Sequence, residues 1–228
     1  MSRSCHFSSL VLLLTSGAFA QEMPGPTDQS VEYSPYPDQD FPNQVFFGDT
    51  HLHTAYSADA GMVGAIVGPE EAYRFARGEE VRSNHGLRAK LKRPLDFLVI
   101  ADHAENLGLA PLIAQSDPAV LSNPWGKKVH DMIKGGNEPE AFNTWIAAMQ
   151  ALEDPFKGDD KMAKTAWHYI TEIAEKYNEP GRFTAIIGFE WTSGPNGDNL
   201  HRNVLFRDGK DKADQIIPLS YYDTGDPE

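Results

Sequence analysis

The chain has 228 residues, with 33 acidic against 20 basic side chains and a formal net charge of −13. That balance argues against non-specific binding to nucleic acid or a membrane surface, which needs a basic face, although bound cations can invert the local field and admit anionic small molecules. The single cysteine, Cys5, lies in a segment expected to be removed, so a metal site would have to use histidine and carboxylate.

Residues 1–20 carry Arg3, then the apolar run LVLLLTSGAFA, closing on the small-x-small triplet Ala18-Phe19-Ala20. This order reads as a secretory signal peptide, too short to span a bilayer. The mature chain is therefore expected to be secreted or periplasmic. Residues 21–44 are rich in Pro, Asp and Gln and read as an extended arm or linker. The stretch 45–228 is long enough for one domain with a sizeable core. Its last residues, Asp226-Pro227-Glu228, resemble the opening of a helix, so the chain is expected to be the front part of something longer.

In chain order, 45–48 reads as a buried strand ending at Asp49. The stretch 68–80 reads as a helix, with Pro69 at its start and Glu70 and Glu71 in its first turn. Residues 97–101 form an uninterrupted apolar run, as in a buried parallel strand. Helices are expected near 141–153 and over 161–177, the second from the spacing of Trp167, Ile170, Ile173, Ala174 and Tyr177. A buried strand follows at 183–191, and a short one at 201–209. Strands alternating with helices predict an α/β domain with a parallel sheet or barrel.

The chemistry gathers where apolar runs stop. His51 and His53, at i and i+2 on an extended backbone, point to one side, with Asp59 close behind. The second run ends in Asp102-His103, the third in Glu190, and His201 precedes the fourth. Ligands at the carboxyl ends of parallel strands share one mouth. With 8 histidines in 228 residues, roughly 0.3 H-x-H pairs arise by chance; the pattern, not the pair, carries the reading. His85, His130 and His168 lie away from strand ends and read as ordinary hydrogen-bonded residues. Imidazole and carboxylate without thiolate suit Zn, Mn or Fe, and more than four candidate ligands suggest more than one ion. Glu190 is expected to bridge two ions, which can also share a hydroxide. Asp49 and Asp102 read as carboxylates orienting the adjacent imidazoles, with Asp102 also a candidate for proton transfer. Arg202 is a candidate contact for a phosphate oxygen.

The segment HLHTAYSAD resembles the first motif of the PHP (polymerase and histidinol phosphatase) superfamily of metal-dependent phosphoesterases. ADH is similar to its second motif and GFE to its third. The longer segments GDTHLHTAYSAD, LKRPLDFLVIADHAENLG, YNEPGRFTAIIGFEWTS and NLHRNVLFRDG resemble more closely a secreted, PHP-like family known only as a domain of unknown function. The resemblance implies a distorted seven-stranded, TIM-like β/α barrel holding two or three divalent metal ions. Its ligands would be His51, His53, Asp59, His103, Glu190 and His201. It also makes 107–182 a helical insertion, and leaves the barrel incomplete, because the superfamily's later histidine and closing Asp-x-His do not occur by residue 228. The expected activity is a hydrolase, read as a phosphoesterase acting on a small phosphorylated molecule. Two alternatives stay open. An amidohydrolase-type enzyme cleaving C–N or ester bonds also begins with H-x-H, though the third motif lacks the lysine such enzymes commonly use. A non-catalytic metal-binding remnant would fit the missing later ligands.

Overall fold

The computed structural model describes residues 44–195 and 198–227, nearly all within the unit Phe46–Glu228. The expected signal peptide and all of the arm but Gln44 lie outside the described residues. In chain order the elements begin with β1 (Gly48–Leu52), α1 (Ala58–Met62), α2 (Pro69–Ala76), β2 (Val81–Arg82), β3 (Arg88–Ala89) and β4 (Phe97–Ile100). Five helices follow: α3 (Leu109–Gln115), α4 (Pro118–Ser122), α5 (Pro124–Lys134), α6 (Glu138–Gln150) and α7 (Lys161–Tyr177). The chain then returns through β5 (Thr184–Ser193), β6 (Leu200–Leu205) and α8 (Lys210–Ala213).

The fold is mixed α/β around a curled half-barrel sheet of four strands in the order β1-β4-β5-β6, with β2 and β3 forming a separate ribbon. β1, β4 and β5 run parallel, and β6 runs antiparallel to β5. Two glycines permit the close strand approach. A Cβ on Gly48 would stand 2.4 Å from the Phe97 carbonyl oxygen, and one on Gly188 would stand 2.7 Å from Val99 Cγ1. The curl is tight enough for the Asn203 amide on β6 to donate to the Thr50 carbonyl on β1 at 2.7 Å.

The main core lies between this sheet and the α2–α7 layer. Leu98 and Ile100 of β4 and Ile187 and Phe189 of β5 meet Tyr73 of α2 and Trp167, Ile170 and Ala174 of α7. Trp167 is wholly buried; its ring stands at 5.8 Å from that of Phe189, and its indole N–H donates to the Ala213 carbonyl at 3.0 Å. A second cluster joins α1, α3, α5 and α6 through Met62, Leu109, Ile113, Val129 and Trp145. The helices between β4 and β5 therefore divide. α3 to α6 build their own core, whereas α7 packs on the sheet as the covering helix of a parallel crossover.

Several expectations are corrected. The first strand starts at Gly48, not Val45, and its residues 48–51 are exposed, because among the described residues it is an edge strand paired only to β4; Phe46 and Phe47 remain about half exposed, at 50% and 52%. The last strand is Leu200–Leu205, ending short of the expected 209, and is antiparallel, as a short connection from β5 requires. The described residues place four strands in the main sheet. The sixth helix begins at Glu138 and stops at Gln150, three residues earlier at each end than expected. Among the described residues, no helix is long and apolar enough to cross a membrane.

Candidate metal centre

Four strand termini converge. His51 sits in β1 and His53 one residue past its end, their ring centroids 5.1 Å apart. Beyond β4 the chain continues extended through Asp102 to His103, which bridges to Glu190 in parallel fashion. On β5, Glu190 and Thr192 share a face, and the antiparallel register sets His201 directly opposite Thr192. Because β6 runs backwards, its start reaches the same mouth as the ends of its parallel neighbours.

Glu190 is the hub. Its Oε2 lies 2.6 Å from His53 Nε2 and 2.8 Å from His51 Nε2, with His103 Nε2 at 3.7 Å. Its Oε1 lies 2.7 Å from His201 Nδ1. Asp59 meets His53 Nδ1 at 3.1 Å through both oxygens, and its Oδ2 lies 3.6 Å from His103 Nε2. Three triads result: His51-His53-Glu190, His53-Asp59-His103 and His103-Glu190-His201, each with ligand atoms within 4.8 Å of one another. All six ligand candidates thus belong to one cluster. Four imidazoles and two carboxylates fit a borderline divalent cation, and overlapping triads fit more than one ion. His85, His130 and His168 belong to none of these triads. His130 bonds Ser116 and Asp131 instead.

The electrostatics follow from the contacts. Burial works against charge on His53, yet its bonds to Asp59 and Glu190 and their negative charges outweigh it and raise the ring to about 10. Both ring nitrogens face carboxylates, so the ring donates from both only as the imidazolium. Burial likewise opposes ionisation of Asp59, but hydrogen bonds from His53 and Ser57 hold it down to about 2. Glu190 is 1% exposed. Desolvation would raise it, but the surrounding imidazoles keep it well below the usual carboxylate range.

Three further candidates stand elsewhere than expected. The Asp49 carboxylate accepts the backbone N–H of His51 at 2.8 Å, so it fixes the strand end and not an imidazole. Asp102 is 1% exposed; its oxygens are taken by the backbone N–H and hydroxyl of Thr54, the latter at 2.7 Å. Burial lifts Asp102 to about 6 against those bonds. It clamps the turn after β1 to the end of β4. Arg202 pairs with Trp191 in the ladder and so lies on the opposite face from His201. Its guanidinium carbon stands 6.0 Å from the Trp191 ring centroid, and Nη1 donates to the Pro227 carbonyl at 3.3 Å.

The sequence reading missed the residues that hold the ligands. The Ser57 hydroxyl donates to Asp59 at 2.6 Å and accepts the His103 backbone N–H at 3.0 Å. Both Thr54 and Ser57 stand inside the first motif, where their hydroxyls were the available signal. Glu105, in contact with His103 at 3.2 Å, carried no signal beyond its place two residues after the second motif. Nearby, Tyr56 stacks on Tyr169 at 5.3 Å. The pair opens on a mostly apolar cavity of about 630 Å³, which Leu112, Val120, Phe156 and Met162 also line.

Neither curated proteins nor solved structures give a match to this sequence. Residues 40–228 match the model of a family described as "Protein of unknown function (DUF3604)", and the chain belongs to that family.

Proposed function

We propose that the protein is a PHP-like, metal-dependent phosphoesterase, exported after removal of residues 1–20, whose half-barrel is part of a distorted seven-stranded barrel. The observation that carries the reading is Glu190, one buried carboxylate whose two oxygens face different imidazole sets, His51 and His53 on one side and His201 on the other. A carboxylate in that position suits a bridge between two cations. Divalent ions held there would supply polarisation of the scissile group and a nucleophile at neutral pH.

The chain's own residues divide the remaining work. His51, His53, Asp59, His103, Glu190 and His201 would bind, while Ser57 and Thr54 keep Asp59 and the strand-end turn in place. The cavity beside Tyr56 is of a size that suits a small-molecule substrate. The test is metal analysis of the purified chain before and after chelation. It is followed by turnover of p-nitrophenyl phosphate and bis-p-nitrophenyl phosphate with Zn²⁺, Mn²⁺ or Fe²⁺ restored. Expected are chelator-sensitive turnover of one ester and loss of both metal and turnover in His53→Ala. Metal binding without turnover of either ester would reject the phosphoesterase, and full turnover in chelator would reject the metal.

A further inference from the structure

Glu105 is wholly buried, five residues beyond the end of β4. A carboxylate in that setting is costly unless it is both hydrogen-bonded and paired. Among the described residues its one basic partner within 4.0 Å is His103, whose Nδ1 stands 3.2 Å from Oε2. The same Oε2 accepts the Thr192 hydroxyl at 3.2 Å, and Oε1 accepts the backbone N–H of Tyr221 at 2.6 Å.

Building on the metal-centre reading, we propose that Glu105 is the positioning residue for His103. It holds the hydrogen on Nδ1, so that Nε2 presents its lone pair to an ion, and it anchors the 220–227 segment behind the ring.

The hydrogen-bond inventory leads to this assignment. His103 Nε2 points into the cluster, towards Asp59 Oδ2 at 3.6 Å and Glu190 Oε2 at 3.7 Å. A neutral imidazole that offers a lone pair at Nε2 carries its hydrogen at Nδ1. Two acceptors wait there, Glu105 Oε2 and Thr192 Oγ1, the latter at 3.0 Å. The threonine hydroxyl gives its own hydrogen to Glu105, which leaves it free to accept from the ring. Glu105 therefore polarises both the direct and the relayed contact, the arrangement by which an outer carboxylate orients a ligating histidine. His53 Nδ1 also faces a carboxylate, Asp59 at 3.1 Å, but one that belongs to the candidate ligand set.

The second oxygen extends the connection. Tyr221 is followed by Tyr222, whose hydroxyl donates to Asn106 at 3.1 Å. Trp191 Nε1 holds the Thr224 carbonyl at 3.0 Å, and the Ser193 hydroxyl holds that of Gly225. The segment thus packs across the end of β5 with Glu105 at its inner edge, and a shift of Tyr221 would move the carboxylate that orients His103.

The test is a competition titration with Zn²⁺ alone, read beside the ring ¹⁵N resonances of His103 in the zinc-loaded chain. Glu105→Gln retains an oxygen for Tyr221 but turns an NH₂ towards Nδ1, where it accepts nothing. Zinc affinity should fall about 10- to 100-fold, and the His103 Nδ1–H signature should be lost. Thr192→Val leaves the carboxylate to act alone, so the tautomer should persist and affinity should stay within about threefold, well short of the loss of an outer-sphere carboxylate. Should the glutamine variant not fold, Thr192→Val still decides: a changed tautomer there shows the hydroxyl to hold the ring and overturns the assignment. Zinc binding and tautomer unaltered in a folded Glu105→Gln overturn it as well. Absence of zinc binding by the unaltered chain overturns the metal-centre reading itself, and this assignment with it.

Discussion

Replacing Glu190 by glutamine separates the bridging role from the fold. The carboxylate is 1% exposed and meets His51 and His53 on Oε2 and His201 on Oε1. An NH₂ at the Oε2 position would confront two imidazoles, so the amide should turn its nitrogen to His201, which can accept at Nδ1 in its other tautomer. His53 still donates as an imidazolium, so of the two bonds left on oxygen only that from His51 changes from charge-assisted to neutral. Bonds to charged groups contribute about 1.5–3 kcal/mol and neutral ones about 0.5–1.5, so the difference is about 1–1.5 kcal/mol. Urea unfolding of the chelator-treated chain should show a loss of that size. The metal count should respond independently. Glu190 belongs to two of the three triads, and only His53-Asp59-His103 survives its removal. The variant should therefore retain one ion at most, measured by mass spectrometry after buffer exchange. An unchanged ion count with unchanged affinity would refute the bridge, whatever the stability did.

Two further predictions probe the surroundings. Arg202→Ala should leave ion count and zinc affinity unchanged by calorimetry, because the side chain lies against Trp191 on the other face of the sheet; a clear loss would return Arg202 to the site. Asp214 accepts from Lys210 Nζ at 2.6 Å and from the buried Thr171 hydroxyl at 2.7 Å. Burial favours its neutral form, but these bonds hold it below its ordinary 3.8. Its contribution is thus full above that value and disappears as pH falls through the depressed one. Asp214→Asn should cost about 1 kcal/mol at neutral pH, and the difference from the unaltered chain should vanish in urea melts carried down through the acidic range.

The parts of the fold that were legible are those whose signal is local. The 3.6-residue spacing from Trp167 to Tyr177 marks α7, and the apolar run at Phe97–Ile100 marks β4. The missed helices α4 and α5 carried signals too: Asp117 caps Pro118 and Asn123 caps Pro124, each side chain accepting a backbone N–H of the first turn. Their shortness hid them, because five or eleven residues with proline at the start look like a broken loop. The exposure of β1 was not legible. Apolar residues at 45–47 resemble a buried strand, and only the position at the sheet edge leaves Phe46 and Phe47 half open.

The candidate ligands were legible for a related reason: each stands at or near the end of an apolar run, and strand ends meet in space. Their supports depend on pairings that no single stretch contains. Glu105 touches His103 and Thr192 only because His103 bridges to Glu190 and thereby sets the two strand ends in register. Arg202 is the instructive error, since the alternation that places His51 and His53 on one side also places a residue next to His201 on the other. Applied evenly, that rule would have rejected Arg202 from the sequence. It selects Asn203 instead, two residues from His201 and opposite Glu190. The Asn203 amide nitrogen is fixed by the Thr50 carbonyl, and its Oδ1 is buried without a partner among the described residues. A flipped amide would set oxygen against that carbonyl, so the orphan acceptor is Oδ1 on the Glu190 face, where the ladder position two residues along holds the candidate ligand His201.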